Sequence, residues 1–221
     1  LSAVPSVPFH LPAWFDLGAT FAFGLTGALA AIKRGYDIVG VFFLALASGI
    51  GGGLIRDGVF IPGGLATPLL TDPRYIELIA AATVAGALFG ARAKKFHRLI
   101  AVVDALGLGA YAAFGTEKAL TAGLAVPAAV LVGVINAAGG GLLRDILTRE
   151  EPLVFKPGQF YVLTAVAGAV VFVFCAVMLG ESGTVAAIAA VAVTFVFRAL
   201  TITFNWRTTP IQSPGEEDVT P

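Results

Sequence analysis

Two short phrases hold the residues in this chain best suited to handling ions. Gly51-Gly52-Gly53-Leu54-Ile55-Arg56-Asp57 recurs as Gly139-Gly140-Gly141-Leu142-Leu143-Arg144-Asp145, each at the end of a long apolar stretch. Glycine costs about 1 kcal/mol relative to alanine inside a helix, so a triplet marks a point where a helix can bend or open. Opened carbonyls are cation ligands, but in a membrane they persist only where they are buried in protein or line a wet cavity. The other reading is that small residues let two helices approach closely in lipid. One glycine would serve for contact, so the triplets favour a kink. A cation near the opened carbonyls is the chemistry these residues imply, with no individual ligand assigned.

The arginines sit about one turn beyond their triplets. Arginine in lipid is costly unless it snorkels or is paired. Asp16 and Arg56 are equidistant in sequence from Tyr36, and Asp104 and Arg144 from Leu124. In an antiparallel helix pair, equidistant residues lie at similar depth. Asp16–Arg56 and Asp104–Arg144 are therefore expected as charge pairs, one towards each mouth of a pathway. Asp57 and Asp145 adjoin the arginines in sequence and are expected to point elsewhere on the helix.

Ser48 and Asn136 each lie three residues before a triplet. Such groups back-bond to helix carbonyls, join helices, or line a pore. Glu117 and Lys118 either form a solvated helix end or, through Lys118, set the field at the outer mouth. Arg198 is expected to snorkel. Gly86 and Gly90, spaced as GxxxG, fit close helix approach.

Composition fixes the setting for these residues. Hydrophobic residues make up 57% of the 221, charged residues 13%, and mean hydropathy is +0.90. A soluble domain of this size cannot bury so much apolar surface, which points to a polytopic membrane protein. The formal net charge is zero, with no basic patch, so nucleic-acid binding has no support. Cys175 is the only cysteine, and His10 and His97 are far apart, so neither a disulfide nor a His/Cys metal site is expected. No nucleophile–base constellation appears, which argues against an enzyme. Gly107-Leu108-Gly109-Ala110-Tyr111-Ala112 imitates a dinucleotide motif but lies inside an apolar span with no preceding strand. No cofactor is implied beyond a permeant ion and membrane lipid.

A spanning helix needs about 20 mostly apolar residues. Seven windows qualify, at 14–32, 37–58, 74–91, 99–117, 125–147, 158–179 and 184–205. The first run is too long for a signal-peptide core and reads as a retained span. The Pro- and Gly-rich stretch 59–73 reads as an interfacial or re-entrant loop. One side of the membrane would hold Lys33, Arg34, Arg92, Lys94, Lys95, Arg98, Arg149, Lys156 and Arg207. The positive-inside rule makes that side cytoplasmic, with the amino end outside and the carboxyl end inside. The basic cluster at 92–98 could also meet anionic lipid.

The two triplets are offset by 88 residues. The same offset maps Asp16 onto Asp104, Gly27 onto Gly115, Gly35 onto Gly123, Ser48 onto Asn136, Arg56 onto Arg144 and Asp57 onto Asp145. Three spans per half is an odd number, so the second half enters the membrane inverted. The expected fold is all-α: a first three-helix unit at 14–91, an inverted second unit at 99–179, a seventh helix at 184–205, and a disordered tail at 206–221.

Paired Gly-Gly-Gly-x-x-Arg-Asp motifs in the second and fifth of seven spans resemble one family, the trimeric intracellular cation (TRIC) channels, in their prokaryotic branch. The resemblance spans residues 14–205. It implies a homotrimer in a prokaryotic inner membrane, each subunit carrying its own pore between the second and fifth helices. Potassium and other monovalent cations are the implied permeants. The family's kink glycines fall on Gly51, Gly52, Gly53, Gly139, Gly140 and Gly141, and its motif charges on Arg56, Asp57, Arg144 and Asp145. The Lys-Glu-Val triplet of animal members is absent, Glu117-Lys118 being the nearest echo. The prokaryotic branch also carries a glycine-transporter label, and broken helices in inverted repeats suit a secondary transporter of a small zwitterion equally well.

Overall fold

The structure is a computed structural model, describing residues 11–61, 71–90, 97–156 and 160–206. Among the described residues seven α-helices follow in order: α1 (Trp14–Lys33), α2 (Ile38–Ile55), α3 (Pro73–Phe89), α4 (His97–Thr121), α5 (Val126–Leu147), α6 (Tyr161–Val173) and α7 (Gly183–Thr203). Two helices end in a single π turn, α2 over Arg56–Phe60 and α6 over Phe174–Met178. Among the described residues, five helices are long and apolar enough to cross a membrane: α1, α2 with its π turn, α5, α6 with its π turn, and α7. The stretch 62–70, the basic residues Arg92, Lys94, Lys95 and Arg207, the Arg98 side chain, His10 and the tail from 207 lie outside the described residues.

Local chemistry fixes the ends. The Asp37 carboxylate caps α2 by accepting from the Gly40 amide at 2.8 Å, and Ser182 caps α7 by accepting from the Val185 amide. Asp72 caps α3, whose first residue is Pro73. Arg74 grips the Asp72 carboxylate and holds it below the usual carboxylate range. The α1–α2 and α4–α5 turns are built alike. Gly35 and Gly123 take φ of 76° and 84°, a region glycine enters freely. The amides that follow reach back five residues, Tyr36 to Ala31 and Leu124 to Ala119, closing Schellman-type ends.

Helices α1, α2 and α3 pack on one another, as do α4, α5 and α6. The two groups meet through α1 against α4 and α2 against α5, while α7 packs on α4 and α6. The core between groups is apolar and aromatic, with Phe23 stacked on Tyr111 at 5.3 Å. Outward faces stay apolar, exposing Phe43, Leu88, Leu131, Val170, Ile188 and Val196. A bundle with so much exposed hydrocarbon suits lipid rather than water.

Candidate functional site

The two glycine triplets meet at the centre of the bundle. A Cβ on Gly52 would collide with the Asn136 carbonyl, and one on Gly140 with the Ser48 carbonyl. A Cβ on Gly139 would stand 3.0 Å from the Gly52 Cα. Helices α2 and α5 therefore cross antiparallel with backbone on backbone. The same offset of 88 residues relates Gly52 to Gly140 and Ser48 to Asn136, so the two contacts are reciprocal. One layer out, Gly27 faces Ser48 and Gly115 faces Asn136 in the same relation.

This corrects the expected opening at Gly51–Gly53 and Gly139–Gly141. Both triplets are α-helical throughout, and the break in α2 comes after them, at Arg56. The physical reason is contact: hydrogen-bonded helices approach to van der Waals distance only where no side chain intervenes. The carbonyls of Ser48 and Asn136 face the opposing glycines across that contact.

Each end of the crossing carries a buried charge cluster. At one end, Arg56 lies 3.8 Å from Asp16, its Nη1 to Oδ1. It also donates to Asp57 from Nε at 2.6 Å and from Nη2 at 2.9 Å, and to Asn136 Oδ1 at 3.3 Å. Lys118 donates to both Asp57 oxygens at 2.9 and 2.8 Å. The Phe114 ring covers the Arg56 guanidinium at 5.1 Å. At the other end, Arg144 lies 3.8 Å from Asp104, and donates to Asp145 at 2.9 Å and to Thr26 at 3.2 Å. The second Asp145 oxygen accepts from the Leu153 amide.

Both cross-helix pairs inferred from equidistance are present, at the same separation. The expected divergence of Asp57 and Asp145 from their arginines is corrected, because a long guanidinium stem folds back onto the neighbouring carboxylate. Lys118 is no free helix end, since Asp57 anchors it. Glu117 is buried rather than solvated, and accepts a hydrogen bond from the Leu11 backbone. Arg198 does not snorkel: it is buried, its guanidinium 5.0 Å over the Tyr161 ring. The aromatic face gives the charge an inward partner.

Ser48 and Asn136 are fully buried. Asn136 joins three helices, donating to the Tyr111 carbonyl of α4 at 2.8 Å while accepting from Arg56. Among the described residues the Ser48 hydroxyl has no hydrogen-bond partner, so it does not back-bond. Three tyrosines escaped sequence reasoning. Tyr75 donates to Asp16, Tyr111 donates to the Gly49 carbonyl, and the buried Tyr161 hydroxyl approaches Gly141. The available signal was a lone phenol in each of three expected spans, Tyr111 amid apolar neighbours and Tyr75 and Tyr161 near a span's start, since a buried tyrosine hydroxyl usually has a polar neighbour. Among the described residues, no group of three or more His, Cys, Asp or Glu side chains is arranged to hold a metal.

Paired charges shielded near the ends of long apolar helices define a polytopic membrane protein with a polar interior. The family profile described as "Glycine transporter" matches residues 13–93 and 101–177. A UPF0126 membrane protein of Deinococcus radiodurans is 33% identical over 158 residues, 71% of this chain and 72% of that one. The UPF0126 inner membrane protein YadS of Escherichia coli is 30% identical over 159 residues, 72% of this chain and 75% of that one. Among solved structures, the TRIC channel orthologue from Rhodobacter sphaeroides superposes with a TM-score of 0.79 at 31% identity, over 86% of this chain and 96% of its own. A TRIC cation channel solved to explain conductance superposes with a TM-score of 0.80 at 32% identity, over 93% and 100%. The chain belongs to the prokaryotic branch of the TRIC channel family, to which the UPF0126 and glycine-transporter descriptions also attach.

Proposed function

We propose that this protein is a passive, potassium-permeable channel for monovalent cations, with its pathway inside each subunit between α2 and α5. One observation carries the reading. The crossing of α2 and α5 is flanked by two buried charge clusters with equal 3.8 Å cross-helix pairs, and its inner contacts are glycines against carbonyls. The described state is closed at that contact. When the helices part, the Ser48 and Asn136 carbonyls lose their glycine neighbours and, each keeping its helical hydrogen bond, turn their remaining lone pair to an ion in place of part of its hydration shell. Asp16, Arg56, Asp57 and Lys118 then set the potential at one mouth, and Asp104, Arg144 and Asp145 at the other.

The finer architecture belongs to the same proposal. All seven helices span the membrane, and residues 14–91 and 99–179 form inverted repeats, with 184–205 outside them and 206–221 as a tail. The reciprocal contacts and the matched glycine turns support that repeat. Related channels described as trimeric support a homotrimer, and the inner membrane location of YadS supports a bacterial inner membrane. The amino end faces out and lipids surround the assembly.

A second reading is favoured by the family description itself: a secondary transporter for a small zwitterion such as glycine. Purified protein in potassium-gradient liposomes separates the two. Rapid electrogenic potassium flux with unitary currents is expected. Saturable glycine uptake without unitary currents would transfer the assignment to the transporter.

A further inference from the structure

The two mouths are not in the same state. The Arg56 and Asp16 side chains are 1% and 3% exposed, whereas Arg144 and Asp104 are each 11% exposed. Helix α2 is wound into a π turn from Arg56, while α5 runs as regular α-helix past Arg144 to Leu147. The tyrosines of the third helix in each group differ as well. Tyr75 of α3 donates its hydroxyl to Asp16 Oδ2, but the Tyr161 hydroxyl of α6 has no hydrogen-bond partner among the described residues, and its ring lies under the Arg198 guanidinium.

We infer that Tyr75 is a positioning residue that latches the Arg56 mouth shut through Asp16, and that the Arg144 mouth stands unlatched because Tyr161 makes no equivalent bond. This rests on the pathway proposed above. Among the described residues Asp16 Oδ1 has no hydrogen bond, only the 3.8 Å approach of Arg56, so the Tyr75 phenol supplies the side-chain hydrogen bond that fixes this carboxylate. With Asp16 fixed, Arg56 stays between Asp16 and Asp57, and its Nη1 keeps the 3.3 Å bond to Asn136 of α5. That bond ties α2 to α5 beside the glycine contact. Without the phenol hydroxyl, Asp16 turns to its remaining partner and draws Arg56 away from Asn136. The tie between the helices then loosens at that end only.

The test compares Tyr75→Phe with Tyr161→Phe in the full chain, by two readouts. One is potassium flux in liposomes. The other is the rate at which a membrane-impermeant, charged thiol reagent reacts with Ser48→Cys in a Cys175→Ser background in spheroplasts. Tyr75→Phe should raise both by about fivefold, the population shift allowed by losing one hydrogen bond of ordinary net strength. Tyr161→Phe should leave both within about twofold. Unchanged or slower values for Tyr75→Phe, or an equal rise in Tyr161→Phe, would overturn the latch. Faster thiol reaction in a protein that carries no potassium would keep the latch and remove the channel reading. A misfolded chain does not mimic a gain. If Tyr75→Phe fails to fold, Tyr75→Leu, which also lacks the hydroxyl but keeps the Asp16–Arg56 pair, is judged on the same two measurements.

Discussion

Arg56 shows how much one buried charge depends on its surroundings. Its side chain is 1% exposed and meets Asp16, Asp57 and Asn136. Arg56→Gln would strand Asp16 with only the Tyr75 hydroxyl, while Asp57 keeps Lys118. Removing one partner of a buried ion pair costs about 3–5 kcal/mol, most of it the uncompensated charge left behind. Arg144→Gln should cost less, because its site is more exposed and Asp145 retains the Leu153 amide. Thermal unfolding of the two variants in detergent should therefore rank Arg56→Gln clearly below Arg144→Gln; equal losses would contradict this account. The cross-helix pairs were legible in sequence because a tight hairpin fixes relative depth. The Tyr75 contact was not, since it needs knowledge of which face α3 turns towards α1, and depth alone does not say. Arg198 misled for a related reason: a lone arginine reads the same whether its aromatic partner is inside or absent.

At the level of helices, the triplets shift from flexible joints to a contact surface. Gly52→Ala and Gly140→Ala each place a methyl group into an opposing carbonyl. Overpacking of this kind costs about 1–3 kcal/mol, and here the obstacle is backbone, which cannot swing away. Gly51→Ala meets only the end of the Leu143 side chain, which can change rotamer. Detergent melting temperatures should fall markedly for Gly52→Ala and Gly140→Ala and little for Gly51→Ala. A uniform effect across the three would mean that backbone contact is not what the glycines serve. The helices themselves were read to within a few residues, because hydropathy and glycine turns are local signals. The expected window 37–58 became α2 with its π turn to Phe60, and 184–205 became Gly183–Thr203. Local glycine propensity argued for a break, and the interhelical packing that keeps the triplets helical is a tertiary effect absent from any window of sequence.

Across the whole molecule, charge placement gives the bundle two unlike ends. Lys33 and Arg34 at the close of α1 meet Glu150 beyond α5, at 4.0 and 3.0 Å, so the α1–α2 turn and the α5–α6 connection share one end. Lys118 and Asp57 pair at the other. The basic residues Lys33, Arg34, Arg149 and Lys156 thus fall on chain segments that the positive-inside rule assigns to the cytoplasm. The proposed orientation puts the α4–α5 turn outside and the α5–α6 connection inside, and single cysteines read it directly. Ala122 and Glu151 are both exposed. In a Cys175→Ser background, Ala122→Cys should react with an impermeant maleimide in intact spheroplasts, and Glu151→Cys only after the membrane is opened. The reverse pattern would invert the protein and exchange which charge cluster faces the cytoplasm. Labelling of both in either direction, as expected for dual insertion, would mean that a few basic residues do not decide how this nearly neutral chain enters the bilayer. The orientation matters for permeation because, if the proposed amino-end-out insertion holds, the Tyr75-bonded Arg56 cluster lies at the outer face, where the membrane potential would act on Lys118 and Arg56 together.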